Sequence, residues 1–250
     1  MNAPRFFCPL PLSQGALVAL PPFAARHAVR VLRLAEGDCL TLFNGEGGEY
    51  LGVIQSTGKD QVQVRLEDYQ AVERESLLDL VLVQAVQGAD KMDFTVQKAV
   101  ELGVSRFQPV ASRRSVVRLA GERADKRVEH WRGVAVSACE QCGRNRVPAV
   151  EGVLTLEKYL ARPAAPDTLR LVLSPGGATA LCQLPRPQGA VELLVGAEGG
   201  LAPEEVAQAQ GAGFLPLVLG PRVLRTETAG LAALAAIHAL WGDFGGSSDV

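Results

Sequence analysis

No apolar run in this chain approaches the roughly 20 residues needed to cross a bilayer. Near the amino terminus, Arg5-Phe6-Phe7 is followed by Pro9, Pro11, Ser13 and Gln14, which break up anything resembling a signal-peptide core. The five cysteines, at positions 8, 39, 139, 142 and 182, are odd in number and scattered, so a secreted disulfide framework is excluded and a reducing compartment follows. These absences predict a cytoplasmic protein. Neither a Walker A sequence nor the dinucleotide glycine fingerprint occurs, which weighs against a nucleotide-dependent oxidoreductase. Cys139-x-x-Cys142 has no second pair, and His27, His130 and His238 show no ligand spacing, so no metal site is expected. Internal repeats, coiled-coil heptads and low-complexity segments are lacking too.

What is present suits a soluble globular chain of one large or two modest domains: 250 residues, 48% hydrophobic and 21% charged. The net charge of −2 hides an asymmetry. From Arg106 to Arg146 there are ten basic and four acidic residues, a local +6, and the rest of the chain carries −8. Such a block suits a phosphate-binding surface, because neutralising backbone phosphates releases counterions. A solvated arginine-rich face is the bland alternative.

Residues 5 to 70 read as short strands, around 38–43, 50–54 and 61–66, separated by Asn44-Gly45, Gly47-Gly48 and Gly58-Lys59-Asp60 turns. This pattern predicts a small β-barrel. Between its strands, residues 24–34 read as a helix with Arg26, Arg30 and Arg33 on one face. A domain boundary is expected near residue 72, giving units 1–72 and 73–245. Beyond it, an apolar run at 77–86, strands at 104–110, 169–173, 191–195 and 214–219, and helices at 93–102, 125–142, 203–210 and 228–241 alternate. That alternation predicts a parallel α/β sheet. The tail from Gly245 is expected to be disordered.

Two strand-to-loop transitions carry candidate chemistry. Val195 runs into Gly196-Ala197-Glu198-Gly199-Gly200 and then a helix opened by Pro203. Glycines admit close backbone approach and a helix start presents free N–H groups, as a nucleotide-like ligand needs, although a tight turn has the same composition. Leu219-Gly220-Pro221-Arg222-Val223-Leu224-Arg225-Thr226-Glu227-Thr228-Ala229 puts two arginines and a carboxylate ahead of an alanine-rich helix. Thr226 or Thr228 would cap that helix, with Glu227 near its positive end. Capping does not explain arginines three apart.

These two blocks, with Lys91 to Gly103 upstream and Ala138-Cys139-Glu140-Gln141-Cys142-Gly143-Arg144-Asn145-Arg146, resemble the 16S ribosomal RNA uracil-N3 methyltransferase family over nearly the whole chain. The resemblance implies a SPOUT-superfamily α/β domain with a deep trefoil knot, a rare topology, preceded by a PUA-like barrel. It implies S-adenosylmethionine as cofactor, a homodimer, and methylation of N3 of one uridine in the 3′ region of 16S ribosomal RNA, uridine 1498 in the family, within the small ribosomal subunit. By the same similarity, cofactor contacts fall on Leu173, Ser174, Gly196, Glu198, Gly199, Gly200, Leu219, Gly220, Leu224, Thr228 and Ala229.

Uracil N3 carries a weakly acidic imide proton, so the site must remove it and hold the resulting charge. Arg225, with Arg222 as the alternative, is expected to meet the base or its phosphate, and Glu227 to orient them. Glu101 or Glu198 could take the proton. RNA contacts are expected from Arg26, Arg30, Arg33, Arg113, Arg114, Arg144 and Arg146. The chain departs from the family pattern at Ala197, where proline is usual, and at Ala202, where a hydroxyl cap is usual. A lost cap costs about 1 kcal/mol and predicts a more mobile loop. The main rival reading is a non-catalytic RNA-binding assembly factor.

Overall fold

The computed structural model describes residues 3–59, 61–117 and 119–244. Asp60 of the third expected turn, Arg118 of the basic block and the tail from Gly245 lie outside them. The chain divides into two compact units, one of residues 1–75 with 136–147, the other of 76–135 with 148–250.

The first unit holds β1 (Arg5–Phe7), β2 (Leu17–Ala19), α1 (Pro22–Arg26), β3 (Cys39–Phe43), β4 (Glu49–Thr57) and β5 (Val62–Gln70). The strands form a mixed sheet in the order β1-β3-β4-β5-β2, with only β1 and β3 parallel. Period-two patterning builds it: Val62, Val64 and Leu66 of β5 point inward, while Arg65 and Glu67 face solvent. They share one core with Phe6, Leu40, Leu42 and Ile54.

The helix expected over 24–34 differs. Pro22 opens α1, where a missing N–H is tolerated, and a single π turn follows over His27–Val31, closed by Leu32 N–H donating to His27 O at 3.0 Å. Arg33 then sits in the left-handed region at φ 57°. Arg26, Arg30 and Arg33 are all exposed. They do not form the expected α-helical stripe, because the π turn is wider than an α turn and Arg33 lies beyond its end.

Residues 136–147 join this unit through ions. Arg144 is 5% exposed, and its Nε lies 2.9 and 3.1 Å from the two Glu75 carboxylate oxygens. Arg5 pairs with Glu49 and donates to Asn145 Oδ1 at 2.6 Å, and Arg74 reaches Glu49 at 3.0 Å. Burial works against ionisation of Glu49, but hydrogen bonds and charge from Arg74 and Arg5 outweigh it and hold the carboxyl below its ordinary pKa. Desolvation pushes the Cys139 thiol up to about 12, so the Cys-x-x-Cys pair begins with an inert, protonated sulfur.

The second unit comprises β6 (Leu80–Ala85), α2 (Ala89–Glu101), β7 (Arg106–Ala111), α3 (Glu122–Cys142, whose last seven residues belong to the first unit), β8 (Ala149–Val150), β9 (Leu154–Thr155), α4 (Leu156–Leu160), β10 (Leu169–Leu173), β11 (Val191–Val195), α5 (Pro203–Gly211), β12 (Leu215–Leu217) and α6 (Thr226–Trp241). Its sheet runs β12-β10-β11-β6-β7-β8, every pairing is parallel, and β9 also pairs with β7. Such strands are buried on both faces and read as continuous apolar runs, and all six residues of β6 are buried. The strands at 169–173 and 191–195 fall where expected. The last strand is shorter than 214–219 because Val218 to Gly220 leave the sheet. His238 is fully buried in α6 with Leu234, Ile237 and Trp241.

Candidate active site

Because β12, β10 and β11 are parallel neighbours, their carboxyl ends open on one side of the sheet, the side where ligands bind in open α/β folds. The loops that leave those ends enclose a cleft of about 670 Å³, within the range of small-molecule sites. Its walls carry Leu173, Ser174, Gly196, Glu198, Gly199, Gly200, Leu219, Gly220, Leu224 and Ala229, together with Arg222, Arg225 and Glu227. Thr228 is the one expected cofactor residue that does not line it.

Two polar side chains, buried Gln84 and half-buried Thr226, hold these loops. Gln84 is the only polar residue in β6, and its amide donates to Gly196 O at 3.1 Å and to Thr226 Oγ1 at 3.4 Å. Thr226 in turn donates its hydroxyl to Gly196 O, which ties the glycine loop to the start of α6. Neither Thr226 nor Thr228 therefore caps α6: the cap position is Arg225, without a side-chain bond. Gly196 is required by packing, since a Cβ there would stand 2.8 Å from the backbone of Gly200 and Leu201. Gly220 has φ +72° and open space beside it, so the backbone faces the cleft without a side chain in the way.

Ala202 provides no side-chain cap to α5, but the reciprocal half of a capping box is present. Glu205, 1% exposed, accepts from Ala202 N–H and from Arg113 N–H, each at 2.8 Å. The carboxylate satisfies the start of α5 from the third helical position and anchors the loop before Arg114. The Glu205 carboxylate thus ties the loop down even though α5 lacks its hydroxyl cap.

Arg222 and Arg225 are exposed on the cleft wall. Arg114 also lines it, donating from Nη1 to Gly199 O at 2.9 Å. Glu101 does not: it is held by Lys98 at 2.8 Å on α2. Glu198 does, accepting from Gly88 N–H at 3.0 Å. Lys91, to which no role was assigned from sequence, lines the cleft with its Nζ 3.7 Å from Glu198 and 3.7 Å from Glu227. A signal for it existed. A cation in the first turn of a helix opposes the macrodipole and needs carboxylates nearby.

Several members of the basic block at 106–146 are taken up by ion pairs within their own unit. Arg113 faces Glu204, Arg132 pairs with Glu129, and Arg146 pairs with Glu73 at 3.0 Å. Arg144, expected to touch RNA, is buried on Glu75 and unavailable to a phosphate. Arg113 and Arg114 belong to the second unit, Arg144 and Arg146 to the first.

Residues 73–238 match the RNA methyltransferase domain family and residues 24–67 the RNA methyltransferase PUA domain family. A ribosomal RNA small subunit methyltransferase E from Bacillus subtilis is 34% identical over 93% of this chain and 95% of its own length. One from Buchnera aphidicola subsp. Schizaphis graminum is 31% identical over 96% and 97%. Among solved structures, a ribosomal RNA small subunit methyltransferase E from Neisseria gonorrhoeae bound to S-adenosyl methionine superposes with TM-score 0.91 at 40% identity, covering 97% of this chain and 100% of that one. A methyltransferase from Legionella pneumophila in complex with SAM gives TM-score 0.94 at 38% identity, covering 98% and 100%. With the matched domain, full-length relatives and a glycine-walled cleft at the sheet's carboxyl edge all in agreement, this chain belongs to the ribosomal RNA small subunit methyltransferase E family.

Proposed function

We propose that this protein transfers a methyl group from S-adenosylmethionine to N3 of one uridine in the 3′ region of 16S ribosomal RNA, with the second unit's cleft as the reaction site. The observation that carries the reading is the cleft itself. It joins an open, side-chain-free backbone at Gly220 and apolar walls from Leu173, Leu219 and Leu224 to two exposed arginines. Those features fit an adenosine-bearing cation: main-chain groups for the polar edges, leucines for the base, carboxylates near the charge. Gly196, Glu198, Gly199, Gly200, Leu219, Gly220 and Ala229 would hold the cofactor, whose contribution when bound is an electrophilic methyl group.

The chain's own residues have the remaining work. N3 lies on the pairing edge of uracil, so the base must enter unpaired or flipped. Arg225, with Arg222 beside it, is placed to neutralise the charge left on the base once its imide proton departs. Glu227 follows Arg225 on the first turn of α6. Of the two carboxylates considered for the proton, Glu198 lines the cleft and Glu101 does not. The exposed Arg26, Arg30 and Arg33 in the first unit and Arg114 beside the cleft supply phosphate contacts. In this reading, residues 1–72 form the RNA-binding PUA-like domain, residues 73–245 the catalytic domain with the family's trefoil knot, and two copies work together in the cytoplasm on the small ribosomal subunit.

The test is transfer of labelled methyl to small subunits from cells lacking the native uracil-N3 enzyme, with mass spectrometry of the digested RNA. The expected product is 3-methyluridine at one 16S position, absent with Arg225→Ala. Binding to subunits without methyl transfer would replace this reading with the assembly-factor one.

A further inference from the structure

The ion cluster on the cleft wall has an unusual charge balance. Lys91 comes from the first turn of α2, Glu198 from the glycine loop and Glu227 from the first turn of α6. One ammonium therefore stands between two carboxylates, 3.7 Å from an oxygen of each. At that length neither contact is a hydrogen bond. Lys91 acts on both by charge and is committed to neither. The side chains are 38%, 23% and 19% exposed, so solvent screens the cluster only in part. Among the described residues Glu227 Oε2 is buried without a hydrogen-bond partner, and Glu198 Oε1 already accepts from Gly88 N–H. The cluster carries a net −1 and its members line the same cleft.

This inference rests on the proposed cofactor. A sulfonium donor carries one positive charge more than the thioether left after its methyl group is gone, while the two share every other group. The local potential therefore acts on the difference between them, and shape acts on both alike. We propose that Lys91 is a specificity-determining residue: by offsetting one of the two carboxylates, it sets how strongly the cleft prefers the cationic donor over its neutral product. With Lys91 in place the preference is moderate and product can leave. Without it the cluster would be −2, and the donor alone would gain. The arginines at 114, 222 and 225 are exposed on the same cleft and raise its potential in the wild type and in each variant below, so they cancel from the comparison.

Calorimetric titration of the whole protein with S-adenosylmethionine and, separately, with S-adenosylhomocysteine reads this directly as a ratio of dissociation constants. Across about one Debye length, roughly 8 Å, a unit charge in a partly solvated cleft changes that ratio by about three- to tenfold. Lys91→Met is expected to shift the ratio toward the donor by that factor, and Lys91→Arg to leave it within twofold of wild type. Glu198→Gln and Glu227→Gln are expected to shift it the opposite way. A purely structural Lys91 would weaken both ligands together, so an unchanged ratio in Lys91→Met overturns the proposal, whatever happens to the individual affinities. If the wild type binds neither ligand, it is the cofactor assignment that fails. Circular dichroism melts identify any variant that is unfolded; if Lys91→Met is, Lys91→Gln removes the same charge and is read in its place, an unchanged ratio overturning the proposal there too.

Discussion

Arg144 and Arg225 are the same side chain put to opposite uses. In the first unit, Arg144 is buried and its guanidinium lies flat against both oxygens of Glu75. In the second, Arg225 is exposed on a cleft lined by glycines and leucines and by several charged side chains, with no ion pair of its own among the described residues. The difference lies in what surrounds the charge. A carboxylate supplied from far along the chain turns an arginine into a structural pin. An arginine left exposed just before a helix, at the edge of a cleft, keeps its charge for something that arrives from outside.

Mutation can break that contrast. Removing the pin should have the largest effect: Arg144→Ala leaves Glu75 and its surroundings uncompensated and should lower unfolding free energy by about 3–5 kcal/mol, read by urea denaturation. Arg225→Ala should melt within about 0.5 kcal/mol of wild type yet lose roughly 10²–10³-fold in methyl transfer, the scale of one preorganised donor. If Arg225→Ala destabilised the fold as much as Arg144→Ala does, the two arginines would not differ in kind. Glu205→Ala strands two backbone N–H groups and should cost about 2 kcal/mol. Adding Ala202→Ser to it should recover about 1 kcal/mol by restoring a hydroxyl cap. The smallest effect is chemical. Because burial raises the Cys139 thiol, it stays neutral below about 12, so at pH 8 a disulfide reagent should modify the exposed Cys39 and Cys182 and spare Cys139. The same shift means that any stability tied to the protonated thiol is present below pH 9 and is lost as pH rises toward 12.

The cleft was largely legible in the sequence because its parts are local. An apolar strand that ends in glycines, or in Gly-Pro-Arg, announces a loop at a sheet edge, and both lie within a few residues of the strands that position them. β10 and β11 begin and end where apolar runs do. The ionic pins were not legible. Glu75 and Arg144 stand 69 positions apart, and nothing in the linear charge pattern tells a paired arginine from a free one. The same distance problem hid the partners of Lys91, one on the glycine loop and one on the first turn of α6, although its place at a helix start was a local signal. The π turn at His27–Val31 escaped for another reason: its sequence has the spacing of an ordinary helix, and the wider turn follows from how Ala24, Ala25 and Ala28 pack into the barrel core.

The interleaving of the two units also has a consequence for synthesis. The sheet of the amino-terminal unit is complete by residue 70, yet Glu73 and Glu75 meet their arginines, and Arg5 and Arg74 some of their acceptors, among residues 143–146. On a ribosome adding about 10 residues per second, those side chains wait about 7 s, while roughly the first third of the other unit is being made. Domain-by-domain folding in chain order is therefore closed to this protein. Its beginning becomes finished only once its middle has emerged.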